Sequence, residues 1–524
     1  MGNNNMREEV ENLARLRQQI EQMGGDESVK KQHERGKLTA RERLDLLIEK
    51  GTFVETGMLG SEFGVDELVP ADGVITGYGK LNDGVRIRDV AVAAYDFTVR
   101  GGSMGIVNET KVTRIREIAV RERIPMIWLN DSGGARVSGG GFSGERVALF
   151  ANTGYLFKEE SLMSGIIPQI AAMMGPGYAG TAYIPGLSDF VPMVKGTSFM
   201  GLGGPALVKS VIGEKLTEDE LGGSKIHCEI SGCGDLEVTS DEECIKAIKE
   251  YISFFPQHCE EKPQRKEWSG DSAALLDDGI LNVIPDNPRE AYDMHDLIRY
   301  VVDDGYFFEM KPKWGRNIII GFGRIAGYSV GIVANNPMFY GGVIDIDAAD
   351  KAARFIWLCD AFNIPLLFLS DVPGFMVGSK AEKSGIIRHG AKMVHAVAEA
   401  TVPKFTLIVR KSYGAGYYAM CGKAFDPDLL IAYPGAEISV MGPEGMVSIF
   451  ARKQLAEAEN PKEMVARLAD EIRPQINIFK TAKSGVIDDV IDPRETKRIL
   501  VRALELTRDK KIFRHPRKHG VYPV

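Results

Sequence analysis

The sequence contains itself twice. Ile75–Leu81 (ITGYGKL) resembles Ile319–Ile325 (IIGFGRI), and Gly101-Gly102 returns 240 residues later as Gly341-Gly342. At the same offset Lys111–Met126 (KVTRIREIAVRERIPM) returns as Lys351–Leu366 (KAARFIWLCDAFNIPL), each reading as a helix delivered to an Ile-Pro strand start. The strands that follow, IWLNDSGGAR (127–136) and LFLSDVPGFM (367–376), both end in Asp and a glycine turn. A second Pro-started strand follows in each half, IPQIAAMMGPGYAGTAY (167–183) and VPKFTLIVRKSYGAGYY (402–418), and Gly204-Pro205 is matched by Gly442-Pro443. Ordered correspondences at nearly constant spacing imply duplication of a whole domain, since the period is far too long for a solenoid. Short apolar strands, glycine turns and helices predict an α/β layer fold in each copy.

A chain of 524 residues is long enough for two such cores. The seam reads as residues 254–290, rich in charge, Pro and Gly/Ser, with the boundary expected near 270: domains 1–270 and 271–524. Ahead of the first copy, Val10, Leu13, Leu16, Ile20 and Met23 mark one face of an amphipathic helix ended by Gly24-Gly25. A second helix is predicted to start at Thr39, where Glu42 completes a capping box. This arm packs on its own chain or on a neighbour.

An apolar share of 44%, a charged share of 26% and a net charge of -8 describe an ordinary soluble chain and argue against a general nucleic-acid binder. The N-terminal residues lack a signal-peptide run and no stretch of 18 or more apolar residues occurs, which predicts a cytosolic protein with no membrane span. The six cysteines form no C-x-x-C pair, and His227, Cys228 and Cys233 match no standard zinc spacing, so no metal is expected.

Each half supplies an apolar strand ending in a Gly-rich turn, and a second strand with a small-residue loop. Small residues let backbone approach a ligand, and N–H groups at a helix start are unpaired, so one N–H from each loop can grip a developing oxyanion. In the first half the loops are Ser132-Gly133-Gly134-Ala135 and Tyr178-Ala179-Gly180-Thr181. In the second they are Pro373-Gly374-Phe375 and Gly414-Ala415-Gly416. No GK[ST] follows, which excludes a P-loop, and no G-x-G-x-x-G turn with a distal acid supports a Rossmann site. H-E-x-x-H is absent, and only His389 and His395 lie near these loops in sequence; both read as solvated or packed imidazoles. Asp131 and Asp371 hold equivalent strand ends, where an Asx turn competes with general-base work. Loops of this kind hold enolates without an acid or base of their own, which suits a reaction whose base arrives on a cofactor.

At these loops the chain resembles the carboxyltransferase (beta) subunits of propionyl-CoA and methylcrotonoyl-CoA carboxylases and the related transcarboxylase subunit. The resemblance runs from KQHERGKLTARERLDLL at residue 31 to RKHG near 517. It is carried by PADGVITG (70–77), NDSGGAR (130–136), DELGG (219–223), GIIRHGAKM (385–393), EATVPKFTLIVRKSYG (399–414) and EISVMGPEG (437–445). It implies two tandem crotonase-like ββα-superhelix domains in a ring-shaped homohexamer, acyl-CoA held by the first half and carboxybiotin by the second. Carried over by position, Ala135, Ala179 and Gly180 hold the thioester oxygen, with Gly133, Gly134 and Tyr178 beside them. Gly374, Phe375, Ala415 and Gly416 hold the ureido oxygen of biotin. No A-M-K-M biotinylation site and no ATP-grasp pattern occur, so the resemblance implies a partner supplying biotin carboxylase and biotin carboxyl carrier functions.

The implied activity is carboxyl transfer from carboxybiotin to the α- or vinylogous carbon of an acyl-CoA. The alternative is an acyl-CoA decarboxylase or transcarboxylase subunit of methylmalonyl-CoA type running the same site in reverse. Four departures bear on the substrate. Tyr418 stands where short-chain members carry Asp, Thr181 replaces a glycine, and the run VSGGGFSGE (137–145) lengthens the chain after the first loop. These predict an acyl group larger or more branched than propionyl. Arg100 replaces an apolar residue, and reads as a CoA-phosphate partner or a surface arginine.

Overall fold

The computed structural model describes residues 5–62, 67–136, 154–270, 276–288 and 290–523. The run 137–145 therefore lies outside the described residues. Two compact units, Met1–Glu261 and Lys262–Val524, divide the chain nearer the start of the charged seam than its middle.

The first unit builds one sheet from β1 (Val54–Thr56), β2 (Val74–Asn82), β3 (Ile87–Tyr95), β4 (Met126–Ser132), β5 (Gln169–Tyr178), β6 (Pro192–Val194), β7 (Phe199–Gly201) and β8 (Leu236–Val238). The second repeats it with β9 (Phe307–Met310), β10 (Ile318–Ile325), β11 (Tyr328–Asn335), β12 (Leu366–Val372), β13 (Lys404–Tyr413), β14 (Leu429–Ala432), β15 (Glu437–Ser439) and β16 (Asp489–Val490). Strand order is β1-β2-β3-β4-β5-β6-β8, with β7 on β5, against β9-β10-β11-β12-β13-β14-β16, with β15 on β13. In both sheets the first three strands pair antiparallel and the rest parallel. Even the irregularity is copied: register shifts between Asn130 and Ser132 on β4, and between Ser370 and Val372 on β12.

The central strands read as unbroken apolar runs because both faces are covered, and every residue of β4 and β12 is buried. The Pro-started strands have a simple cause. Pro125, Pro168, Pro365 and Pro403 lack an N–H, so each sits one step outside its strand and only accepts, from Ala91, Met126, Gly331 and Leu366 N–H at 2.8–3.0 Å.

The arm folds as α1 (Met6–Glu21), α2 (Gly25–Glu34) and α3 (Ala40–Leu47). The first helix ends at Glu21, just before the glycine pair, and a second opens at Gly25; a Cβ on Gly24 would collide with the Thr98 carbonyl. Thr39 and Glu42 form the predicted capping box. On α1 only Ile20 is buried, while Val10 and Leu16 are exposed. Among the described residues no helix is long and apolar enough to cross a membrane.

The long helix before each central strand, α4 (Ile106–Glu122) or Ile346–Ala361, carries a buried lysine at the same place. Lys111 Nζ donates to the carbonyls of Ala71 (2.6 Å) and Val74 (2.5 Å). Lys351 Nζ donates to those of Lys311 (2.9 Å), Trp314 (2.9 Å) and Ile318 (2.7 Å). Burial pulls the two ammonium groups down, to about 8 and about 7. Each lysine gathers the chain where it enters the second strand of its sheet, so its loss strands several buried carbonyls. Lys351→Met should cost about 3 kcal/mol or more of unfolding free energy, read as a lower urea midpoint at unchanged slope; a variant as stable as the parent would refute the cradle's structural role.

Candidate active site

The first glycine turn follows β4 and is laced to the Gly101-Gly102 turn. Gly133 N–H donates to Gly101 O (2.7 Å), and Ser132 Oγ donates to Gly102 O (2.7 Å) while accepting from Gly134 N–H (3.2 Å). Met104 N–H donates to Gly134 O (2.8 Å), and Arg136 N–H to Met104 O (2.8 Å). Of the four residues 133–136, Ala135 alone has no acceptor for its N–H among the described residues, and it is exposed. The second turn ends β5. Ala179 spends its N–H on Gly201 O (3.0 Å), and its unusual backbone (φ 51, ψ -113) swings the chain into the helix Gly180–Leu187. Gly180, first in that helix, has no intrahelical acceptor for its N–H. The two turns touch: a Cβ on Gly134, whose φ is +86, would sit 2.9 Å from the Tyr178 carbonyl.

The second unit repeats the arrangement. Ile344 N–H donates to Gly374 O (3.0 Å) and Met376 N–H to Ile344 O (2.8 Å), which puts Phe375 where Ala135 stands. The helix Gly414–Ala419 follows β13, with Ala415 exposed in the place of Gly180. Here the turns meet through Gly416, whose Cβ would lie 3.2 Å from Gly374 Cα. Gly416 is buried, so it permits the approach while Ala415 faces out.

Asp131 and Asp371 are neither Asx turns nor free bases. Both are fully buried, and both oxygens of each carboxylate accept hydrogen bonds. Asp131 accepts from Gln32 Nε2 (2.8 Å), Lys37 Nζ (2.7 Å) and Arg43 Nη1 (3.0 Å), and Arg43 Nε reaches Asp241 (2.7 Å). Two cations and two carboxylates thus neutralise one another. Burial pulls the Lys37 ammonium below the ordinary lysine range, against the attraction of Asp131. Asp371 accepts from Arg410 Nε (3.0 Å), Tyr292 Oη (2.9 Å) and Lys411 N–H (3.2 Å). Removing one partner of such a buried network typically costs about 3–5 kcal/mol. These anchors escaped sequence reasoning because the donors to Asp131 lie 88 to 99 residues away with no periodic signature.

Other expectations fare unevenly. Thr181 does not face open space: it is buried, and its Oγ1 donates to Tyr178 O (2.9 Å). Tyr178 packs on Phe199 at 4.8 Å and bonds Glu218, and burial with that bond pushes its phenol up. Tyr418 is 49% exposed beside Tyr417 and Phe425. Arg100 pairs with Glu67 at 2.9 Å on the surface, so its guanidinium already has an acidic partner. His389 bonds Asp350 through Nδ1 (2.8 Å), and His395 packs among Trp357 and Tyr522. His227 is taken by Met200 O and Ser231, and no group of metal-ligating side chains occurs among the described residues. Sequence reasoning also missed Arg136, which bonds Asp72 and Ser103 O (2.8 Å) and fixes the residue after Ala135.

Residues 31–522 match the carboxyl transferase domain family. The chain is 41% identical to the propionyl-CoA carboxylase carboxyltransferase subunit of Haloferax mediterranei, over 99% of this chain and 100% of that one. It is also 41% identical to the methylmalonyl-CoA decarboxylase subunit alpha of Propionigenium modestum, over 98% and 99%. A solved transcarboxylase 12S structure, described as a hexamer with methylmalonyl-coenzyme A and methylmalonic acid bound, superposes with a TM-score of 0.92 at 41% identity, covering 99% of both chains. With that likeness the paired mixed sheets are tandem crotonase-like domains.

His295 follows closely on Tyr292 and clamps that segment, bonding Asp293 (2.6 Å) through Nδ1 and Glu309 (3.0 Å) through Nε2. Burial alone would lower its pKa, but the two carboxylates win and raise it above 6.5. A raised folded value means the imidazolium's stabilisation is complete below the unfolded pKa and is lost as pH rises through the folded one. The stability gap between parent and His295→Gln should therefore be widest below about pH 6 and shrink as the pH is raised above it. Urea titrations across that window check it, and a gap that widens with pH contradicts it.

Proposed function

Because the chain belongs to the carboxyl transferase family and is thereby an enzyme, we propose that it moves a carboxyl group between biotin on a partner protein and the α-carbon of an acyl-CoA. The observation that carries this reading is the duplicated pair of touching turns, each with N–H groups left unspent or at a helix start. When bound, biotin supplies the carboxyl group and the base for the α-proton. Everything else falls to backbone. Ala135 and Gly180 donate to the thioester oxygen as it gains charge, and Ala179, Gly133 and Gly134 shape their turns. Phe375 and Ala415 donate to the ureido oxygen, while Gly374 and Gly416 let those turns close. The second pair fits such a group, because a Cβ on Gly374 would meet nothing within 4 Å and the backbone there is open to approach. Donors held rigid before charge develops are worth about 3–4 kcal/mol each.

Relatives named as carboxylase and as decarboxylase are equally similar to this chain, in keeping with one site serving both directions. Direction then belongs to the partner, a biotin carboxylase and biotin carrier assembly in one case. By analogy with the transcarboxylase structure, the working form is a homohexamer. The names of the relatives favour propionyl- or methylmalonyl-size acyl groups. A larger or branched acyl group, carboxylated at its α- or vinylogous carbon, is the second reading, favoured by the half-exposed ring of Tyr418.

Values of kcat/KM for propionyl-, methylcrotonoyl- and longer acyl-CoAs decide between them: a clear propionyl preference supports the first reading, and a preference for the larger thioesters supports the second. Under the second reading Tyr418→Asp shifts preference toward short chains. Gly134→Ala forces a Cβ against the Tyr178 carbonyl at positive φ and should lower kcat by about 10-fold or more; unchanged turnover would remove this turn from the chemistry.

A further inference from the structure

Superposing the repeats residue by residue places Gly175 of β5 where Arg410 stands on β13, since both strands run from a Pro-started end to an equivalent Tyr. Arg410 supplies the guanidinium that neutralises Asp371 from the neighbouring strand. Gly175 supplies nothing, and a Cβ there would collide with the Asp131 carboxylate. The charge missing from β5 comes instead from the arm, through Lys37 and Arg43. The equivalent buried carboxylate thus takes its cation from within the sheet in one unit and from a separate N-terminal segment in the other.

We propose that Lys37 and Arg43 are positioning residues for the Ala135 N–H, acting through Asp131, and that Arg410 is the positioning residue for the Phe375 N–H, acting through Asp371. The inference rests on the assignment of Ala135 to the thioester oxygen. Its physical basis is short. Asp131 is the penultimate residue of β4, its carbonyl packs so closely on Gly102 that no side chain fits there, the next two residues are tied to the Gly101-Gly102 turn, and Gly134 is tied to Ser132. A carboxylate that loses its cations in a dry site must move or take up a proton, and either change shifts the start of the turn that aims Ala135. The arm therefore determines the acyl-side oxyanion site alone, and each loop can be disturbed without the other.

The thioester carbonyl stretch reads the acyl-side loop directly, without biotin or turnover. Propionyl-CoA labelled with a heavy isotope at its carbonyl carbon is bound to the full-length protein and its infrared band compared with that in water. The wild-type protein should shift the band to lower frequency, and Lys37→Met should lose most of that shift while still binding CoA. Lys37→Arg, which keeps the charge, should regain part of it. Arg410→Lys should keep the full shift although it lowers turnover. In kinetics, Lys37→Met should lower kcat on the order of 100-fold with KM little changed. If it folds poorly, Gln32→Leu removes a neutral donor from the same carboxylate and should move the band in the same direction, less far. A folded Lys37→Met variant with the full shift would overturn the proposal, as would an Arg410→Lys variant that loses it. No shift in the wild-type protein would instead overturn the assignment of Ala135, and this inference with it.

Discussion

A carboxylate sealed from water has to be matched by cations and donors on the spot, and one stands at the end of the central strand of each unit. Asp131 and Asp371 are both fully buried as the penultimate residues of strands that lead into a glycine turn. Meeting that demand shapes much of what surrounds them. In the second unit it places Arg410 on the adjacent strand and draws Tyr292 over from the segment before the sheet. In the first it leaves a glycine at the matching position and draws in Gln32, Lys37 and Arg43 from the arm, with Asp241 balancing the second cation. An exposed amphipathic α1 and the burial of the Gln32, Lys37 and Arg43 side chains follow from the same cause: only the latter have a charge to meet.

Above these anchors the proposed chemistry rests on hydrogen-bond accounting. In the first turn every N–H but that of Ala135 is committed, to Gly101, to Ser132 or to Met104. Ala179 is committed as well, which leaves Gly180 as the proposed donor of the second turn. A site built by leaving chosen amides unspent has no titrating side chain to tune, and it is rigid because everything beside it is bonded. This is the logic of preorganised electrostatic stabilisation. It also explains why histidines and carboxylates near the loops serve structure: His389 is held by Asp350, and both strand-end aspartates are neutralised.

The duplication, the Pro-started strands, the capping box at Thr39 and the four small-residue loops were all legible in the sequence, because each is a local pattern or a repeat of one. What was not legible depends on distance. Nothing local joins Lys37 to Asp131 across 94 residues, and Arg136 to Asp72 across 64 is equally silent. The lysine cradles were closer to hand. Both repeated helix segments begin with lysine, Lys111 and Lys351, but a charged residue at a helical position reads as solvated unless the repeat itself is taken as evidence of burial. Thr181 misled for the opposite reason: it differs from related chains near the site, yet it is satisfied by Tyr178 O, whereas Arg100, paired with Glu67, is the surface arginine of its alternative reading. The split between Ala179 and Gly180 could not be read from composition, since it rests on which N–H finds an acceptor.

Two equivalent units performing two unequal tasks is the central claim, and amide hydrogen exchange at the four donor positions tests it most directly. Bound acyl-CoA should slow exchange at Ala135 and Gly180 and leave Phe375 and Ala415 unchanged, whereas free biotin should slow only the second pair. Protection of the same pair by both ligands, or of each pair by the other ligand, would contradict the account.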